Sequence, residues 1–292
     1  MREREPKLHH YVPQFYLRQF YDRSGRFWVW DKNSSKVFCA SSRSVATGTH
    51  FYRVPELIGT DVNPLFLEKE LASLEAKAAN VLSRCTKLLS AMKPMDRLQL
   101  EKDDRWSLSI FIAVQFLRTA EQREILALYS LENGAYKDDI SEDEKINLHV
   151  QMLCSGGLVE SIAERVFSSI WIYARNTTST PFWTSDNPIS FKTGDNRMWL
   201  KGPGIFSIGS YVVFPLTPSY VLYCKEPEGW STIRGMDSCL SPVELTDEMV
   251  QHENSGQVFM ATRHVISNVN QFLWADEFVT SIGTDKYAPN DG

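Results

Sequence analysis

The chain changes texture near residue 177, and that change limits what it can fold into. Between about residues 63 and 176 apolar residues recur at helical spacing, as at Phe66, Leu67, Leu71, Leu74, Ala78, Val81, Leu82, Cys85 and Leu89. From 177 on, Thr, Ser, Pro, Phe, Val and Tyr dominate in short runs at 181–185, 189–192, 210–215 and 220–224. These runs suit strands, with turns at Asp186-Asn187-Pro188 and Thr217-Pro218-Ser219. Helices grouped first and strands grouped afterwards predict an α+β fold, not an alternating one.

The spacing predicts individual elements. Residues 26–31 and 36–40 alternate around Asn33-Ser34-Ser35 and read as a hairpin. Asn63 caps the first long helix, with Pro64 at its first position. A second helix is expected over about 103–132, and a third from the capping box Ser141-x-x-Glu144. A fourth covers about 158–174 after Gly156-Gly157, and a final one about 247–267. The expectation is one α+β unit. It comprises an N-terminal motif and hairpin (1–62), a helical part (63–176) and a β-rich part ending in a helix (177–292).

Composition narrows the function classes. Hydrophobic residues at 43% and charged residues at 23% argue against disorder. No apolar run approaches the roughly 18 to 20 residues that span a bilayer, and no apolar stretch follows Met1-Arg2-Glu3-Arg4-Glu5 as in a signal peptide. Cys39, Cys85, Cys154, Cys224 and Cys239 are scattered without a CxxC pair. That argues against a disulfide scaffold, a zinc ribbon and an iron–sulfur cluster, and it predicts a reducing, cytoplasmic setting. The net charge is −5, yet residues 1–53 hold ten Lys and Arg against four acids. A basic face on an acidic protein can bind phosphates, since screening confines interactions to about 10 Å. Chance clustering on a solvated hairpin is the equal alternative.

Three stretches carry possible chemistry. The first is His9-His10-Tyr11-Val12-Pro13-Gln14-Phe15-Tyr16-Leu17-Arg18-Gln19-Phe20. Pro13 suits the first turn of a helix, where Gln14 and Arg18 share a face and Phe15, Tyr16 and Phe20 pack inward. Either the aromatics pin this segment and Arg18 is solvated, or His10, Gln14 and Arg18 form a polar row at a pocket edge. The second is 110–119, apolar almost all round but interrupted by Gln115 and Arg118, with Gln122 continuing the polar stripe. A buried guanidinium needs a partner. Arg118 either pairs with Glu68 or Glu75 on the preceding helix or holds a phosphate or ligand beside Gln115. The third is Trp183-Thr184-Ser185-Asp186-Asn187-Pro188. It is either a turn or a site in which Asp186 is a base or electrostatic stabiliser and Asn187 orients a substrate. His252-Glu253-Asn254 lacks the second histidine of a HExxH site and reads as a solvated helix face. Glu75-Ala76-Lys77 is a lone ExK, which says little. No GxxxxGK[ST], GxSxG or complete ligand set is present, so neither metal nor cofactor is expected.

The opening resembles a bacterial family designated domain of unknown function 4238. So do the Phe66-Leu67-Glu68 to Glu75 helix, Gln115-Phe116-Leu117-Arg118-Thr119, Thr184-Ser185-Asp186-Asn187-Pro188 and Phe214-Pro215-Leu216-Thr217. The resemblance extends to the Brig-type DNA glycosylases of anti-phage loci, which remove a glucosylated hydroxymethylcytosine base and leave an abasic site. It implies double-stranded phage DNA with modified cytosine as the partner and no membrane association. It also implies site roles. Asp186 would stabilise an oxocarbenium-like sugar or position water. Asn187, Gln14 or His10 would meet charge on the departing base. Tyr11, Phe15 and Trp183 would wall the flipped nucleotide beside Gln115, and Arg18 and Arg118 would contact phosphate or sugar. The rivals are a metal-dependent nuclease and a non-enzymatic module that senses phage DNA or protein.

Overall fold

The computed structural model describes residues 8–54, 63, 65–136, 139–155, 157–194, 199–200 and 207–282. Its elements run β1 (Leu8–His10), α1 (Gln14–Leu17), β2 (Phe27–Asp31), β3 (Lys36–Ala40), β4 (Thr47–Thr49), α2 (Phe66–Ala91), α3 (Lys102–Leu117), α4 (Ala120–Glu132), α5 (Glu142–Cys154) and α6 (Gly157–Ser168). They continue with β5 (Ile170–Arg175), β6 (Thr184–Ser185), β7 (Ser190–Lys192), β8 (Trp199–Leu200), β9 (Tyr211–Thr217), β10 (Tyr220–Lys225), β11 (Cys239–Leu240), α7 (Asp247–Met260), β12 (His264–Ser267) and α8 (Ala275–Ile282). The fold is mixed α+β, as the texture change predicts.

Strands β11-β5-β10-β9-β7-β8 form one sheet in that order, and β3-β2-β12-β6 form a second; β1 pairs with β4. Alternation along β9 and β10 explains how the first sheet is covered on both faces. Val212, Phe214, Leu222 and Cys224 enter the main core with Val81, Leu82 and Cys85 of α2 and Phe111 and Ile112 of α3. The intervening Tyr211, Val213 and Val221 pack with Val250 of α7 on the other side. In the second sheet, Trp30, Val265 and Trp183 form a smaller core with Val258 of α7 and Phe272. Among the described residues no helix is long and apolar enough to cross a membrane.

The hairpin and the Ser141–Glu144 capping box form as expected. Four helix boundaries differ. The helix expected over 103–132 is two helices. Arg118 N–H still bonds Val114 O, but Thr119 turns extended and its hydroxyl accepts from Gln122 N–H, capping α4 anew. The helix expected to reach 174 stops at Ser168. Ile170-Trp171-Ile172-Tyr173 is β-branched and aromatic, and it pairs with β10 as a strand buried on both faces. The helix expected to reach 267 stops at Met260, and His264–Ser267 becomes β12 between β2 and β6. At the first long helix, Asn63 Oδ1 accepts from Leu65 N–H and helix begins at Phe66. Pro64 and Gly156 lie outside the described residues.

Candidate functional site

The opening segment is built into the molecule by residues far away in sequence. Tyr11 O accepts from Gln115 Nε2 at 3.0 Å and from Arg118 Nε at 2.8 Å. Arg118 Nη2 reaches His10 O at 3.3 Å and Glu75 Oε1 at 2.9 Å. Tyr52 hydroxyl donates to Arg118 O at 3.0 Å. Of the two acids open to Arg118, Glu75 is its partner. This corrects the phosphate role for Arg118 and the base-contacting role for Gln115. Both side chains are fully buried, and the donors named here are spent on holding the opening. Tyr16 hydroxyl donates to Pro215 O at 2.8 Å and lies 2.7 Å from Thr184 Oγ1, and its ring stacks on Phe214. Five separated motifs therefore meet at one junction.

The proposed polar row divides. His10 Nε2 lies 3.1 Å from Ser42 O, and Ser42 hydroxyl lies 3.4 Å from its acceptor Gln14 Oε1. Burial pulls the His10 imidazole below its ordinary value. Arg18 is exposed, and its side chain makes no hydrogen bond or ion pair among the described residues. Phe15 packs half-buried on Phe111, with ring centroids 5.5 Å apart. Trp183 is wholly buried against Phe272 in the smaller core, so it cannot wall a pocket with Tyr11 and Phe15. Its backbone N–H is held by Asn254 Oδ1 at 2.8 Å. Asn254 is therefore buried and not on a solvated face.

Asp186 is also wholly buried, which corrects its assignment as a group in direct contact with substrate. Its Oδ1 accepts from Thr262 N–H at 2.9 Å, and its Oδ2 accepts from Arg263 N–H and His264 N–H at 3.0 Å each. Asp186 N–H returns to His264 O at 3.0 Å. One carboxylate thus fixes the start of β12. Burial pushes the Asp186 carboxyl up to about 6, against the pull of those three N–H groups. Asn187 is buried as well, its amide donating to Met260 O at 3.1 Å and its N–H to Ser185 Oγ at 3.2 Å. Gln257 of α7 accepts from Ser185 hydroxyl and donates to Pro188 O and Ser190 Oγ, bracing the same turn.

The side chain this arrangement presents is His264. Its Nδ1 is buried and stands 3.9 Å from Asp186 Oδ2, while the ring is 15% exposed, so the opposite edge with Nε2 meets solvent. Burial and Arg263 hold its pKa below the ordinary histidine value, with Asp31 opposing. The sheet register places Asp31 directly beside His264, and Lys36 beside Asp31. Asp31 Oδ2 accepts from Arg263 Nε at 2.7 Å. Burial works against the Asp31 charge, but Arg263 and Asn33 N–H hold its carboxyl below the usual range. Tyr11, whose ring packs on Phe51, feels the Asp186 and Arg263 charges. Burial first, and then the Asp186 charge, hold its phenol protonated well above neutrality. Phe38 sets its ring edge-on to His264 at 6.1 Å.

His264 Nδ1 makes no hydrogen bond among the described residues, and an imidazole held neutral with its other edge at the surface can take a proton from water. His264 and Phe38 escaped the sequence reading. His264 fell inside an expected helix, although Val265-Ile266 is a β-branched pair that signals a strand. Two open clefts, of about 510 and 290 Å³, lie apart from this row around Arg105 and Asp237. Among the described residues no group of three or more His, Cys, Asp and Glu is placed to hold a metal ion.

The family model described as "Protein of unknown function (DUF4238)" matches residues 8–271. No curated protein and no solved structure matches the chain.

Proposed function

The chain belongs to the DUF4238 family of proteins of unknown function, and from that premise we propose that it is a DNA glycosylase. Its substrate in this reading is double-stranded phage DNA with glucosylated hydroxymethylcytosine, from which it releases the base and leaves an abasic site. The observation that supports it is His264, a largely buried, neutral imidazole with one edge at the surface and Asp186 Oδ2 3.9 Å from its Nδ1, beyond hydrogen-bond reach.

N-glycosidic hydrolysis needs water delivered to an electron-poor anomeric carbon and donors for a departing anionic base. With its own proton on Nδ1, His264 has Nε2 as the acceptor for a water proton. The water oxygen bonds the anomeric carbon, the carbon–nitrogen bond breaks, and its electron pair leaves with the base. The proton held on His264 then passes to that base. Asp186 supports the imidazolium formed in between, which makes it a positioning residue. Tyr11, whose phenol stays protonated, is the nearby donor for a base carbonyl. The role first expected of Asp186 thereby passes to His264. In this reading His10 and Gln14, which meet through Ser42, remain candidates for contact with the departing base.

The test is mass spectrometry of free base released from glucosylated-hydroxymethylcytosine DNA and from unmodified DNA, in buffer with EDTA. Release from the modified DNA alone is expected. His264→Gln should slow it by about 10²–10⁴, the range for losing a general base. Strand cutting in magnesium without base release would point to a nuclease. DNA binding without any release would point to a sensing module. Either result overturns the proposal.

A further inference from the structure

β3 is the outer strand of the second sheet and pairs with β2 alone among the described residues. Outer strands commonly hide their apolar side chains, because an open edge recruits other chains. β3 does the reverse, with Val37 at 40% and Phe38 at 39% exposure. Phe38 lies in the same cross-sheet row as Val29, Ile266 and Thr184, all of them buried. It is thus the solvent end of an otherwise closed row, and its ring touches the ring of His264.

Charge surrounds this exposed pair. Lys36 begins the strand and Arg43 follows its end, both exposed. Arg26 lies along it, its guanidinium donating to Cys39 O at 3.0 Å. Residues 8–54 hold seven Lys and Arg against two acids. Asp22 is tied to Ser24 and to the Arg26 N–H, and Asp31 is buried against Arg263. Neither of these acids faces the strand's outer edge, whereas Asp276 of α8 accepts from the Ser35 hydroxyl next to Lys36 and partly offsets the charge there. Five extended residues span about 16 Å at 3.3 Å each, about the rise of five base pairs along the axis of a DNA duplex. A second copy of the chain does not suit this edge, since pairing β3 with itself would bring Lys36, Arg26 and Arg43 onto their own kind.

We propose that β3 is the DNA-docking edge of this protein, with Arg26, Lys36 and Arg43 on the phosphates and Phe38 stacking on the base delivered to His264. This rests on the glycosylase reading for the role of Phe38, while the phosphate contacts stand without it. Phosphate contacts set position and salt dependence, and an aromatic face accepts any base.

The experiment measures binding of a fluorescent 20-base-pair duplex to the full chain at several salt concentrations, alongside release of modified base. The variants are Phe38→Ala and the triple change Arg26→Gln, Lys36→Gln, Arg43→Gln, each checked for folding by thermal melting. The triple variant should weaken binding at least tenfold and lower the slope of log affinity against log salt by about 2 to 3. Phe38→Ala should keep duplex affinity within about threefold and slow base release about tenfold or more. Wild-type binding that is weakened by the triple change, without any base release, would overturn the glycosylase reading and leave the docking edge standing. Base release by wild type with both variants unaffected would overturn the docking edge and leave the glycosylase. Failure of wild type to bind duplex, or a dimer in light scattering that Phe38→Ala dissolves, would also overturn the docking edge.

Discussion

Asp186 is asked to do two things, and they leave different marks when it is changed. It ties three N–H groups at the entry to β12, and in the proposed reaction its charge, 3.9 Å from His264 Nδ1, steadies the imidazolium. Asp186→Asn swaps one acceptor oxygen for an NH2 group facing N–H donors. It should cost about 1–3 kcal/mol in urea unfolding, the range for leaving a buried donor unpaired. The charge has its own signature. Burial raises the Asp186 carboxyl to about 6, so it is ionised at neutral pH and takes up a proton as pH falls through 6. His264 is held below its ordinary value and protonates at the acid end too. The rate of base release should therefore fall below about pH 6 and level off above it. In Asp186→Asn the residual activity should lose the part of that limb owed to the carboxylate. A limb unchanged in the variant would assign it to His264 alone.

Among the elements, those fixed by local rules were legible before any coordinates, and those fixed by partners were not. The hairpin around Asn33-Ser34-Ser35 and the Ser141 capping box need only neighbouring residues. The demand that buried Arg118 find an acid on α2 was legible too, because a guanidinium there has few other options. β5 and β12 were misread because each follows a helix without a Gly or Pro break. Their strand character comes from pairing with β10 and β2, which lie far off in sequence. Misplacing β12 hid His264 and left Asp186 as the only visible acid at the turn. The junction that Tyr16 closes was unreadable for the same reason. Tyr16→Phe removes its bonds to Pro215 O and Thr184 Oγ1 in a dry environment. It should lower stability by about 1–2 kcal/mol in denaturant titration, with the largest loss of amide protection in β6 and β9. Glu75→Gln removes the carboxylate that Arg118 bonds, with Glu68 left as the nearby acid, and should cost about 1–3 kcal/mol.

At the scale of the whole molecule, pH acts through buried groups outside the site. His149 is fully buried, with Nε2 2.8 Å from Leu117 O and Nδ1 accepting from Arg123 Nε at 3.2 Å. Burial first, then the Arg123 charge, lowers its pKa to about 3. The folded chain thus keeps this ring neutral while the unfolded chain protonates near 6.5. The stability it contributes is complete above 6.5 and is lost as pH falls from there towards 3. The loss is about 1.4 kcal/mol for each unit below 6.5. His149→Gln should flatten that slope in melting curves taken from pH 7 to 4.5, and an unchanged slope would refute the assignment. The same molecule carries His264, a largely buried imidazole with one edge at the surface near the Asp186 carboxylate, and the proposed reaction turns on it. The decisive measurement is the rate at which aldehyde-reactive abasic sites form in glucosylated-hydroxymethylcytosine DNA, with wild type and with a folded His264→Ala variant. Abasic sites are expected with wild type on the modified DNA only, at a rate at least about a hundredfold lower for the variant. Equal rates for the two proteins, or no abasic sites with wild type, would contradict it.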